Sequence, residues 1–283
     1  MNHFFKRVVV LLNDLENIDN LLKKAKNFSI EHQTTLEILY VQEEALFGIP
    51  DYFLSEDKIA TERLDKKKIK AKIQEHLSNL GIHDKHAILV YEDDAVDQTR
   101  HYAKEQKDML FITAYHPSLS KKLIEKTPYS FWIVKNDIQS YSNIVLPLDF
   151  TKNAKKSLQM SKHIFPQKSI TMLHDYRYIL DTMSVQVEYL DVTPVLTPDI
   201  IEFNETLKKE QKKKFENYKK EFDVQGECIE GEGALDKDLI EYISKRGFDL
   251  TVMYHQNAEL FLSPTLILEL LKELSTDFFI FNL

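Results

Sequence analysis

Two short segments contain residue types that attract or repel phosphate. Gly231-Glu232-Gly233 is a Gly-x-Gly pattern, and glycine allows a backbone to approach a phosphate closely. Glu92-Asp93-Asp94 occupies the matching place in the first half of the chain, and its carboxylates would repel a phosphate. Acidic residues at a helix start also suit the helix dipole. We therefore interpret the glycine pair as a tight strand–helix turn and the acidic segment as a helix cap.

The other residues that could do chemistry lack the partners that such chemistry needs. His83 and His86 have a spacing seen in metal sites, but no second cluster at zinc-site spacing accompanies them. His174-Asp175 could form part of a catalytic group, yet no serine or cysteine nucleophile motif is present. Cys228 lies in a predicted strand, which favours a buried, inert thiol. We predict no catalytic residue, no metal site and no enzymatic activity.

Composition limits the class of protein. With 283 residues, 43% hydrophobic and 29% charged, the chain is typical of a globular protein with two ordinary domains. No apolar run approaches the roughly 18 residues of a membrane span. A single cysteine fits a reducing cytoplasm, and a formal charge of -8 makes nucleic acid an unfavourable main partner. Charge runs at 65–68 and 208–214 are interpreted as solvated helix faces.

The two halves of the chain repeat one order of apolar runs. Residues 6–13 match residues 142–149, and helices are predicted next over 18–32 and 152–164. The further matched pairs are 36–41 with 170–174, 108–112 with 249–253, and 131–134 with 278–281. A polar segment at 135–141 joins the halves. We predict two domains, residues 1–138 and 139–283.

Alternation of short apolar runs with longer helical segments is the pattern of a parallel sheet with helical crossovers. The runs are nearly continuous in apolar residues, as expected for strands covered on both faces. Right-handed crossovers then give an open, doubly wound α/β sheet of about five strands in each half. The predicted fold class is therefore two tandem Rossmann-like domains.

With these landmarks, the chain resembles the universal stress protein family in its tandem two-domain form. The resemblance covers about residues 5–135 and 141–283, and the second opening, residues 143–151, looks like the family's first strand and Asp-containing turn. Leu173-His174 looks like the end of its second strand. The resemblance implies the adenine nucleotide alpha hydrolase-like fold with strand order 3-2-1-4-5. It also implies pairing of the two domains as an intrachain pseudo-dimer, a link to stress and, in one branch, ATP binding.

The phosphate loop is where the resemblance fails. ATP-binding members carry G-x-x-G-x9-G-[ST] after the fourth strand, where glycine backbone and helix N–H groups hold the phosphates. In the second half, Tyr254 and Asn257 stand at the first two glycines, and Pro264-Thr265 falls near the last Gly-Ser position. In the first half, Thr113 and His116 stand at the glycines, and nearly all of the spacer is missing. We therefore expect no cofactor, with ATP disfavoured.

Any residual pocket is expected in the second half, because the acidic residue of the first strand survives there as Asp149 but becomes Asn13 in the first half. Polar side chains would gather there at the carboxyl ends of the strands, where open α/β sheets bind ligands. These candidate binding residues are Asp149, Thr151, Tyr254, Gln256 and Thr265.

The sequence thus predicts a non-catalytic, cytoplasmic stress-response protein that acts by binding a protein partner or a small ligand. The alternative is a nucleotide or small-metabolite sensor that binds through the second domain only. The domains would pair within the chain, and whole chains could pair further as a homodimer.

Overall fold

The computed structural model describes residues 4–42, 65–83, 86–104, 108–150, 152–176, 198–230, 235–255 and 264–283. The chain divides into two compact units, Met1–Gln139 and Ser140–Leu283. Each unit is described by itself below, as the first and the second domain.

The first domain is a parallel sheet in which strands alternate with helices. Its strands are β1 (Arg7–Leu12), β2 (Thr35–Gln42), β3 (Ala87–Glu92), β4 (Met109–Ala114) and β5 (Ser130–Val134). Its helices are α1 (Ile18–His32), α2 (Lys66–Asn79), α3 (Ala95–Ala103) and α4 (Pro117–Lys126). Every strand pair is parallel, and the order is β3-β2-β1-β4-β5.

The second domain repeats this arrangement. Its strands are β6 (Asn143–Pro147), β7 (Ser169–Asp175), β8 (Gln225–Ile229), β9 (Leu250–His255) and β10 (Asp277–Asn282). Its helices are α5 (Lys152–Ile164), α6 (Pro198–Phe222), α7 (Leu235–Lys245) and α8 (Pro264–Glu273). The parallel order β8-β7-β6-β9-β10 is again 3-2-1-4-5 when its strands are counted from the first. The predicted α/β fold class is confirmed.

The central strands are apolar at successive positions because helices cover both faces of a parallel sheet. Val8, Val9 and Val10 of β1 are fully buried, and so are Ile144 and Val145 of β6. Strands β3 and β8, which end the strand orders of the two domains, are only partly buried. The core of each domain therefore lies around its first and fourth strands, whose carboxyl ends carry the candidate site.

The predicted helix cap and solvated helix faces are confirmed. The carboxylate of Asp94 accepts hydrogen bonds from the N–H groups of Val96 and Asp97, at 2.8 and 3.0 Å, at the start of α3. Lysines at 66–68 on α2 and at 212–214 on α6 are exposed, whereas Lys208, at the start of the second run, is half-buried and pairs with Glu230. These features stabilise the helices and provide no binding site by themselves.

The segment that follows β5 is fixed to α1 of its own domain. The side chain of Lys24 is only 2% exposed, and its ammonium group donates to the carbonyl of Ile138. The same group lies 5.6 Å from the centroid of the Trp132 ring. Asn20 Nδ2 donates to the carbonyl of Asn136 at 3.0 Å. The sequence predicts only a polar linker here, whereas the structure shows a segment held in place by buried polar contacts.

Candidate functional site

The structure brings together two of the predicted pocket residues, Asp149 and Tyr254. The hydroxyl of Tyr254 donates a hydrogen bond to Asp149 Oδ1, and the backbone N–H of Asp149 donates to the same hydroxyl at 3.3 Å. Tyr254 lies in β9 and is 2% exposed, while Asp149 is half-buried. The Asp149 carboxylate, which a ligand in this pocket would contact, therefore already accepts a hydrogen bond from the Tyr254 hydroxyl.

The other predicted pocket residues do not add to this pair. Thr151 and Gln256 lie outside the described residues, and so does Asn257. Thr265 is exposed in the first turn of α8, directly after Pro264 at the start of that helix.

Phe150, the residue after Asp149, packs its side chain into an aromatic cluster. Phe150 has a φ of 59°, in the left-handed region that non-glycine residues seldom adopt. Its ring centroid lies 4.5 Å from that of His174, 5.5 Å from that of Tyr218 and 6.1 Å from that of Phe215. This packing supports the backbone conformation that places Asp149 beside Tyr254.

His174 belongs to the packing of the second domain. The imidazole is fully buried, and its Nδ1 lies 2.9 Å from the carbonyl oxygen of Leu148. Burial lowers the pKa of His174, because a charged imidazolium is poorly solvated in the interior. A neutral His174 that donates to a backbone carbonyl is consistent with the packing role predicted from the sequence.

The connection between β4 and α4 in the first domain is only two residues long. Strand β4 ends at Ala114 and helix α4 begins at Pro117, so only Tyr115 and His116 connect them. Proline at the first helical position has no N–H to donate. His116 is the N-cap of α4, and its Nδ1 accepts a hydrogen bond from the backbone N–H of Leu119 at 3.4 Å. The helix start is therefore capped by its own chain.

Strand pairing corrects one match made from the sequence. Val8 pairs with Leu110 in the first domain, and its counterpart Ile144 pairs with Leu250 in the second. The neighbouring pairs agree, because Leu110 lies opposite Ser130 and Leu250 lies opposite Asp277. Counting along the strands makes Ala114 the counterpart of Tyr254, in place of Thr113. The sequence match was displaced by one residue because both strands are apolar throughout, so hydrophobicity alone does not fix the alignment.

A cleft of about 530 Å³ opens at the carboxyl ends of the strands in the first domain. We call it the first-domain cleft. Its lining comes from the segment after β1, from α2, and from the ends of β4 and β5. The residues are 15, 17–21 and Lys23 after β1, His76 of α2, Ala114 and Tyr115 at the end of β4, and 134–137 at the end of β5. The sequence did not predict this cleft. The one available signal was a small residue, Ala114, at the end of β4, and the displaced match concealed it.

The remaining candidates from the sequence provide no reactive site in the described parts of the chain. His83 is exposed and His86 Nδ1 lies 3.0 Å from the carbonyl oxygen of Leu36. Cys228 lies in β8 as predicted, but it is half-buried rather than buried, and desolvation raises the pKa of its thiol. Gly231 and Gly233 lie outside the described residues.

The described residues contain neither a metal-binding cluster nor a membrane-spanning helix. No group of three or more His, Cys, Asp or Glu residues there is arranged to hold a metal ion. None of the helices in those ranges combines the length and the apolar character that crossing a membrane requires.

Comparison with known proteins gives a match in structure but not in sequence. No family model matches the chain, and no curated protein matches it. A universal stress protein from Archaeoglobus fulgidus DSM 4304 superposes with a TM-score of 0.61 at 12% identity, covering 99% of this chain and 97% of that one. A putative universal stress protein from Pseudomonas aeruginosa UCBPP-PA14 gives a TM-score of 0.62 at 14% identity, covering 98% and 93%. At such identities the likeness establishes the fold, and the chain therefore has the universal stress protein fold in tandem form.

Proposed function

We propose that the chain is a non-catalytic stress-response protein of the universal stress protein type, which binds a protein partner or a small ligand. In this proposal it does not bind ATP in the manner of the ATP-binding branch. It acts in the cytoplasm with its two domains paired, and whole chains can form a homodimer.

The observation that carries the proposal is the hydrogen bond from Tyr254 to Asp149. A nucleotide approaching this crevice would have to displace a buried phenol ring and break a hydrogen bond to a charged acceptor. A hydrogen bond of that kind contributes about 1.5–3 kcal/mol, and an unpaired buried hydroxyl adds a further cost. Ligand contacts would have to exceed this sum before any net binding resulted.

The first domain supports the same conclusion by a different route. A triphosphate needs several backbone N–H donors to replace its hydration, and these come from a glycine-rich loop and the helix start behind it. A connection consisting of Tyr115 and His116, followed by Pro117, offers few such donors.

The same features support the part of the proposal that excludes catalysis. Phosphoryl transfer requires a phosphate cradle, a metal-binding acid and a residue that orients the nucleophile. In the second domain the available acid, Asp149, is already engaged by Tyr254. Binding of a partner or a small ligand needs none of these groups.

A thermal-shift titration of the full chain with ATP and Mg²⁺ tests the proposal. Since a ligand that binds only the folded state raises its stability by mass action, we expect no saturable rise in Tm for the wild-type chain. A saturable shift with submillimolar affinity that disappears in Asp149→Ala would contradict the proposal. Glu31→Ala, which removes one exposed carboxylate from α1 of the first domain, serves as the control substitution.

A further inference from the structure

The first-domain cleft lies where an open α/β sheet ordinarily presents a ligand site. In the order β3-β2-β1-β4-β5, the chain continues from β1 toward β2 and from β4 in the opposite direction toward β5. The topological switch point therefore lies between β1 and β4. The cleft is lined by the residues that follow these two strands, including Asn17 after β1 and Tyr115 after β4. Its volume of about 530 Å³ falls within the usual range for small-molecule pockets.

Ala114 lines the cleft with a small side chain. Its counterpart in the second domain is Tyr254, whose ring is buried and whose hydroxyl bonds to Asp149. In the first domain Asn13 replaces the acid. At this position the first domain therefore has a methyl group beside an accessible cleft, whereas the second has a buried phenol ring bonded to a carboxylate.

One wall of the cleft is rigidly placed. Residues 135–137 line it, and they are flanked by the contacts of Asn20 with Asn136 and of Lys24 with Ile138. Gln139 Nε2 donates to Asn20 Oδ1 at 2.9 Å, which closes the same network. A wall that is already ordered lowers the entropic cost of binding a ligand against it.

The cleft is lined by two lysines and two acids, and both acids already have partners. Of its two acids, Asp19 lies 2.7 Å from Nδ1 of His76, and Asp137 accepts a hydrogen bond from Gln139 at 2.7 Å. Lys23 is exposed on the cleft side of α1 and forms no ion pair with any residue in the described ranges.

Two further features add positive potential to the cleft. Lys135 projects over the Tyr115 ring, with its ammonium group 4.4 Å from the ring centroid. The first turn of α1 also faces the cleft without a side-chain cap from Asn17, so the positive end of its dipole adds to the two lysines.

We infer that the first-domain cleft binds a small metabolite with one carboxylate or phosphate monoester group, held between Lys23 and Lys135 against Tyr115. This inference rests on the proposed function and specifies its small ligand. A triphosphate is excluded because the two-residue β4–α4 connection supplies no phosphate loop. The ligand site lies in the first domain, whereas the sequence placed any residual pocket in the second.

Isothermal titration calorimetry of the full chain tests the inference with three probes: glutarate for the carboxylate, glycerol 3-phosphate for the monoester, and glycerol as the neutral control. We expect saturable binding of at least one anion with millimolar or tighter affinity, and none of glycerol. Whichever anion binds more tightly identifies the ligand group. Lys23→Met should weaken that binding roughly tenfold, and Lys23→Arg should retain most of it.

Two variants make the test specific to the cleft. Ala114→Tyr introduces the residue that the second domain carries at the equivalent position, and it should abolish anion binding while the fold, checked by circular dichroism, persists. Lys70→Met removes an exposed lysine of α2 that does not line the cleft, and it should leave the affinity unchanged.

The possible outcomes separate this inference from the proposed function. Failure of both anions to bind, or binding that survives both Lys23→Met and Ala114→Tyr, overturns the inference alone. Equal binding of glycerol and the anions also overturns it. Saturable binding of ATP with Mg²⁺ that depends on Asp149 overturns the proposed function instead.

Discussion

The bond between Tyr254 and Asp149 makes a quantitative prediction about stability. Tyr254→Phe keeps the ring that fills the crevice and removes only the hydroxyl that donates to Asp149 Oδ1. A hydrogen bond to a charged acceptor contributes about 1.5–3 kcal/mol, and because Asp149 is half-buried we expect a loss of about 2 kcal/mol. Urea unfolding followed by circular dichroism measures this loss as a lower midpoint at an unchanged m-value.

A double-mutant cycle isolates the contribution of the pair. Asp149→Asn keeps the shape of the side chain and removes its charge, so combining it with Tyr254→Phe should give a coupling free energy of about 1–2 kcal/mol. Tyr91→Phe is the matched control, because Tyr91 is half-exposed in β3 and forms no hydrogen bond with any residue in the described ranges. It should change stability by less than about 0.5 kcal/mol.

The result that would refute the reasoning is additivity. If the losses in the two single variants simply sum in the double variant, the hydroxyl and the carboxylate do not stabilise each other. The crevice of the second domain would then be open to a ligand at little cost, and the main support for the proposed function would be lost.

Two other predictions concern the second domain. Gly226→Ala should destabilise this domain by about 1–3 kcal/mol, because the new Cβ would lie 2.6 Å from Cζ of Phe215. Chemical denaturation should show a smaller loss of stability when the substitution is made in a Phe215→Leu background. An equal loss in that background would contradict the steric cause. Because burial lowers the pKa of His174 below its unfolded value of 6.5, the unfolded chain takes up a proton first as the pH falls, so stability should decline from pH 6.5 downward. Urea midpoints across this range should fall less steeply in His174→Gln than in His83→Gln, which changes an exposed histidine, and equal slopes would rule His174 out as the source.

The sequence predicted the fold well because the signals that define its elements are local. The helices over 18–32 and 152–164 lie where predicted, since amphipathic periodicity and flanking polar residues mark both ends. The strand order followed from the resemblance and is confirmed in each domain. Pairing of the two domains with each other stays a prediction.

The site was less predictable because it depends on register and on contacts between distant residues. The sequence placed Asp149 and Tyr254 at one edge of the sheet, but the bond between them joins residues 105 positions apart. A shift of one residue in β4 assigned Thr113 to the place of Ala114, which hid the small residue that lines the first-domain cleft. Nothing local in residues 135–139 indicates that Asn20 and Lys24 fix them to α1.

The contrast between Ala114 and Tyr254 determines which domain has the better case for a ligand. A binding site must remain accessible, and its polar groups must gain contacts on binding that they lack beforehand. In the second domain Asp149 already has its donor, so a ligand would exchange one hydrogen bond for another and displace a ring as well. In the first domain Lys23 is without an ion pair among the described residues and Ala114 lines an accessible cleft, so an anion would gain a contact with Lys23 without breaking an ion pair of that lysine. Combining Ala114→Tyr with Tyr254→Ala tests this contrast, because it shows whether ligand binding moves with the alanine from the first domain to the second.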